Sequence, residues 1–320
     1  MSRMSSPIVL LALMLIPLTA VPARAQPYAG NIFRAENYLL QHLDRDVGLV
    51  YESDDPGKHW LTSELQDFHW RYDQTYWLYS DNLFAYLALK RDYPEVADSI
   101  RARIEAYGQP PALLFEVVTG EHIPLPLRNP HDYIVAENDG HVVLIRRHNA
   151  SSIAFGEYVD FWMYEALERA LEGDLASAIF LVRQAERLWR GDGLWDWSFT
   201  IYDHMFSNQK LALLLLTARA LRLSLEHEDE MEAHLWSMQN DDGGIASLSD
   251  PSGKKAGSAN AETTALTILI HDQTTLAKFP KAQFSSDSGS PSPVVLLVGV
   301  VVLVSLGFWV YRLHLKERLA

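Results

Sequence analysis

Three stretches of the chain repeat one layout, and that repeat constrains the fold more than any other feature. HLDRDVGLVYES (42–53), RLWRGDGLWDWS (187–198) and WSMQNDDGGIAS (236–247) each close a helical run. Each then carries an acidic residue, a glycine and a large apolar residue. After a loop, a helical run restarts near a small residue and Asn, as SDNLFAYLAL (80–89), SNQKLALLLL (207–216) and SANAETTALTIL (258–269). The first loop is longer and carries HWRYDQTYW (69–77). Glycine lets the chain leave a helix through a left-handed turn. The apolar residue pins the loop to the core, and Ser or Asn caps the next helix by accepting from its free amides. Helix pairs repeated in this way bury their apolar faces only by stacking on neighbours.

Punctuation between the repeats is also helical. Pro94 stands at a first-turn position, Gly108, Gly173 and Gly191 close runs, and Asp174 is placed as an N-cap. The run around LALLLL (211–216) is apolar enough to predict a buried helix. The pattern changes at about residues 112–148. There LLFEVV (113–118) and HVVLIRR (141–147) read as strands of a small β insert, with IPLPLRNPHD (123–132) as loop.

The ends carry separate signals. Residues 1–25 hold Arg3, an apolar run and Ala23-Arg24-Ala25, the pattern of a cleaved secretory leader. Residues 281–293 are rich in Ser, Pro and Gly and read as a tether. Residues 294–311 are uncharged and apolar and read as a single transmembrane helix, with Trp309 and Tyr311 at the interface. Arg312, Lys316 and Arg318 place the tail, 312–320, in the cytoplasm. The reading is a cell-membrane protein whose main domain, 26–280, lies outside. With no cysteine, disulfides, thiolate metal sites and a cysteine nucleophile are excluded. A net charge of −14 argues against nucleic acid as a partner. Asn149-Ala150-Ser151 is a glycosylation sequon.

The MQNDDGGIAS (238–247) and GSANAETTAL (257–266) stretches, with YWLYSDNLFAYLAL (76–89), resemble the (α/α) toroid proteins. These include the six-hairpin glycosidases and the terpenoid-cyclase-like toroids. About eight helices are expected where a full six-hairpin toroid has twelve, so the resemblance implies a mainly α, partial α/α-hairpin barrel. In such toroids the cavity opens where the inner helices begin. That end would collect the carboxylates Asp81, Asp203, Asp73 and Glu262. Asn82, His204, Asn208 and Asn260 would join them, with Trp77, Trp195 and Trp197 nearby. Carboxylate pairs perform glycoside hydrolysis while aromatic faces carry sugar rings, and Asp81 with Asp203 is the leading pair.

Each of these residues also has a plain structural reading, as a cap, a buried polar clamp or a packing aromatic. His122, His131, His141 and His148 follow no metal-ligand spacing, and no phosphate loop or nucleophile elbow is present, so no metal or cofactor is expected. Two functions stay open. One is a membrane-anchored glycosidase-like protein acting on carbohydrate. The other is a non-catalytic surface protein that binds glycan or a protein partner.

Overall fold

A computed structural model describes residues 27–53, 76–107, 114–123, 128–138, 141–152, 158–196, 200 and 204–280. The chain begins with α1 (Ala29–Gln41), β1 (Leu43–Asp44), β2 (Leu49–Val50), β3 (Tyr76–Leu78), α2 (Tyr79–Leu89) and α3 (Pro94–Ala106). A 3-10 helix (Leu114–Thr119) precedes β4 (Arg128–Asn138), β5 (His141–Ser152), α4 (Val159–Leu171) and α5 (Leu175–Glu186). Then come β6 (Phe206–Ser207), α6 (Asn208–Ala220), α7 (Glu228–Ser237), β7 (Ala246–Ser249), β8 (Lys255–Ala259), α8 (Ala261–Leu269) and α9 (Gln273–Leu276).

Helices α2, α6 and α8 form the centre, with α8 packed against α1, α2 and α6. Apart from polar residues concentrated in their first turns, their sequences are largely apolar, and almost every residue in them is buried. The outer α3, α5 and α7 each bury only part of their residues and pack on α2, α4 and α6 respectively. A fully buried Leu is worth about 1.5–3 kcal/mol. Leu211 and Leu213–Leu216 of α6 are all within 1% of complete burial, so this helix anchors the core.

The three copies of the turn motif share one geometry. Each closes with an antiparallel bridge onto the apolar residue after glycine or its neighbour: Leu43 to Val50 with Asp44 to Leu49, Trp189 to Leu194, and Gln239 to Ile245. Leu49, Leu194 and Ile245 are buried, as the sequence predicts. Gly243 has φ 98°, and a Cβ there would stand 2.1 Å from the Arg34 carbonyl oxygen of α1. Ser207 caps α6 and Asn260 caps α8, accepting from Lys210 N and Thr263 N. The first copy differs, because α2 has no side-chain cap. There Asn82 grips the preceding loop. Its Oδ1 accepts from Val50 N at 2.7 Å, and its Nδ2 donates to Val50 O and Leu78 O, both at 2.9 Å.

Several expectations are corrected. In place of the expected partial toroid with one β insert, the described residues form a helical domain with three small sheets. The strand orders are β1-β2, β3-β5-β4 and β6-β7-β8. The central helices are packed on every side and make a filled core. β3 runs parallel to β5, which ties the chain before α2 to the β hairpin. No helix among the described residues is long and apolar enough to cross a membrane; the longest have 13 residues, roughly 20 Å. The expected leader, tether, transmembrane span and tail lie outside the described residues. LLFEVV enters a 3-10 helix, not a strand. Five consecutive buried residues, Leu114–Val118, give no periodicity to separate the two. Residues 128–132, read as loop, belong to β4, which pairs antiparallel with β5.

Asn82→Ala leaves Val50 N and O buried without their partner, at about 1–3 kcal/mol for each group. We expect a loss of about 2–4 kcal/mol in urea denaturation. A loss below about 1 kcal/mol would show that the clamp is dispensable.

Candidate functional site

Hydrogen bonds bring the starts of four helices to one end of the domain. Ala261 N of α8 donates to Glu52 O, beside the loop that Asn82 of α2 grips. Gln209 of α6 donates to Glu262 of α8 at 3.2 Å. Lys210 of α6 reaches Asp160 in the first turn of α4 at 3.1 Å and Asp196 at 2.7 Å. Asp196 in turn accepts from Val159 N, the first residue of α4, at 3.0 Å.

This is the end where the sequence placed a carboxylate pair. Asp81 is wholly buried there, and its Oδ1 accepts from Ser80 Oγ at 3.3 Å. Trp77 is buried in β3, and Trp195 is half-buried beside the second turn. Asn208 Nδ2 donates to Ala246 O at 2.8 Å, and Asn260 caps α8. Glu262 is half-buried and takes the Gln209 bond. His204 is exposed, with φ 55°. Asp73, Asp203 and Trp197 lie outside the described residues. The described asparagines at this end therefore hold backbone. The Lys210 group, absent from the sequence reading, is an internal ion triad. Burial alone would lower the Lys210 ammonium, but Asp160 and Asp196 outweigh it and hold it above its ordinary range. Tyr158 lies under the ammonium at 5.3 Å from its ring centre.

Two clefts lie at the other end, where α2, α6 and α8 finish. A cleft of about 420 Å³ is lined by Arg91, Arg219, Ile270, His271, Asp272, Gln273 and Thr274. A second, of about 280 Å³, is lined by Ala29, Ile32, Phe33, Glu36, Arg91, Asp92 and Tyr93. Arg91 belongs to both. Basic residues at helix ends complement the dipole, and Arg219 does so directly, donating to Ile270 O at 3.5 Å.

Charge is closely matched around the larger cleft. Arg219 pairs with Glu228 at 2.8 Å and Glu232 at 2.6 Å, and His271 Nε2 lies 2.8 Å from Glu232 Oε1. Burial alone would raise Glu232, but hydrogen bonds from His271 and Arg219 bring its carboxyl down to about 2. Tyr28 stacks on Trp236 at 5.5 Å between ring centres, and His271 lies against both rings. Tyr28 holds φ 69°, a left-handed backbone that costs an L-residue about 1–3 kcal/mol.

In the smaller cleft, two carboxyl groups diverge. Burial, then the hydrogen bond and charge of Asp92, raise Glu36 to about 7, against the pull of Arg91 at 3.8 Å. The Arg91 hydrogen bond lowers Asp92. Phe33 stands beside them with 57% of its surface exposed. Sequence reasoning missed both clefts. Its only available signal was charge crowded just past apolar helices, in LKRDY (89–93) and ILIHD (268–272).

Compared with known proteins, the chain matches no family model, no curated protein and no solved structure.

Glu36 and Glu232 act on stability with opposite signs. The folded value of Glu36 lies above the ordinary 4.5, so its contribution is complete below that pH and is lost as the pH rises through about 7. The depressed Glu232 contributes above the ordinary carboxylate range and loses that contribution as the pH falls towards about 2. We expect wild-type stability to drop by about 1–2 kcal/mol between about pH 5 and about pH 8, after solvent screening is allowed for. Glu36→Gln should flatten that drop. Parallel urea titrations of the two proteins check it, and equal slopes would refute the Glu36 assignment.

Proposed function

We propose that this chain is a membrane-tethered, extracytoplasmic domain that binds carbohydrate in the cleft around Arg91. The observation that carries the reading is the lining of the smaller cleft. An exposed Phe33 ring and Tyr93 stand beside the hydrogen-bonding groups of Glu36, Arg91 and Asp92. A sugar offers a C–H face for an aromatic ring and a rim of hydroxyls for forked donors and acceptors. Arg91 is flanked by Asp92 at 2.5 Å and Glu36, so the site carries little surplus charge of either sign. That balance favours a neutral polar ligand over a phosphate or a cation. The membrane tether and the outside location rest on the sequence of the two termini.

Hydrolysis is the second reading, and the divergence of Glu36 and Asp92 favours it. A carboxyl that holds its proton near neutrality is what a general acid requires, although glycoside hydrolysis needs its partner about 5–10 Å away and Asp92 is close enough to share a hydrogen bond with Glu36. The leading sequence pair adds no geometry, because Asp81 is buried, as Glu36 is, and Asp203 lies outside the described residues.

A glycan-array and hydrolysis screen of the full chain tests both readings. We expect binding that Phe33→Ala or Arg91→Ala weakens at least about tenfold, which corresponds to about 1.4 kcal/mol. Binding that survives Glu36→Gln, without product release by the wild type, supports the binding domain. Product release abolished by Glu36→Gln supports hydrolysis. Absence of any glycan ligand would overturn both.

A further inference from the structure

We propose that His122, Glu168 and Glu172 form a binding site for one divalent transition-metal cation, with zinc the best fit. Glu168 lies in the last turn of α4 and Glu172 is its C-terminal cap in helical conformation, so the two stand one turn apart and their side chains leave the same face. His122 reaches them from the chain just beyond the 3-10 helix, where Gly120 turns with φ 82°. One ligand atom from each of the three lies within 4.8 Å of the other two. Metal–nitrogen and metal–oxygen bonds of about 2.0–2.2 Å bridge such a group after small side-chain rotations.

The independent observation is the state of Glu168. Its side chain is completely buried. Oε2 is satisfied by the Ile123 amide at 2.7 Å. Oε1 has no hydrogen-bond partner, although His122 Nδ1 lies against it as an ion-pair contact. A buried carboxylate oxygen facing an imidazole nitrogen is two lone pairs in opposition unless a proton or a cation stands between them. The Ile123 amide plays the part that outer groups play at metal sites. It fixes the carboxylate so that the free oxygen points at the ligand position.

The donor chemistry narrows the cation. One imidazole nitrogen with two carboxylates suits zinc or manganese, whereas calcium takes oxygen donors only. His122 and Glu172 are exposed, so the remaining coordination positions face solvent and stay open to water or an exogenous ligand. Glu172 also lies 3.8 Å from Arg169, a long surface pair that a cation would outcompete. Once bound, the metal would fasten the 3-10 helix and the segment after it to α4. The histidine spacing in the inserted region does not reveal this group, because the partners of His122 lie far along the chain at a later helix.

Equilibrium dialysis of the untagged full chain in detergent against zinc chloride tests the site. We expect one saturable equivalent per chain and a rise in melting temperature on binding. His122→Ala and Glu172→Gln change exposed residues, so the fold is retained, and each should weaken binding at least tenfold and abolish the melting shift. Buried Glu168→Gln serves as a third variant, with circular dichroism confirming its fold. Two outcomes overturn the proposal: no saturable binding of zinc or manganese, or zinc affinity unchanged by His122→Ala. Calcium binding as tight as zinc and indifferent to His122→Ala would overturn it equally.

Discussion

The fold depends on side chains that take over the hydrogen bonding of buried loop backbone. Wherever a turn passes beneath a helix start, its amides and carbonyls lose water and must find partners. Asn82 supplies both partners to Val50, and Asn208 takes the carbonyl of Ala246. Both gripped residues stand second after the motif glycine, Gly48 or Gly244. Thr264 of α8 accepts from Ile245 N in the third copy, and Asp196 accepts from Val159 N beside the second. With the loops held in this way, the central helices can meet without stranding the backbone groups of Val50, Ile245 and Ala246.

Those clamps also mark a difference between the two ends of the domain. Polar residues at the helix starts are drawn into capping and loop-holding, and the lysine there is neutralised by two carboxylates. A buried ion triad of that kind contributes little net stability, but losing one partner leaves an uncompensated charge. At the helix ends the polar residues surround open clefts. There Arg91 and Asp92 are exposed, while Glu36, Glu232 and His271 lie buried behind them.

The local rules of the sequence were legible and the long-range groupings were not. Asp174 accepts from Ser177 N, Pro94 opens α3, and Gly173 turns with φ 87° where the helical pattern stops. Each of these follows from a few neighbouring residues. The turn motif was legible for the same reason, down to the burial of Leu49, Leu194 and Ile245. Asp81 and Asn82 looked like a polar pair fit for catalysis, because a clamp and a catalytic amide have the same composition. Only the position of Val50 separates them. Arg91, Arg219 and His271 meet because three helices end side by side, and no spacing along the chain records that. The 3-10 helix escaped detection because complete burial removes the alternation by which a strand is recognised.

The first helix packs against the last long one. Asn31 exchanges hydrogen bonds with Gln239 at 2.9 and 2.8 Å across 208 positions, and the Arg34 carbonyl abuts Gly243. A chain made from its N-terminus onward holds α1 without most of its binding surface until Gln239 and the helix after it have been made. Closing so wide a loop is slow and comes late in folding. Until the third turn emerges, the apolar side of α1, with Ile32, Ala35 and Leu39, stays exposed. The nascent protein therefore has a long interval in which that helix needs a temporary shelter, and a joint between the two ends of the domain would shorten it.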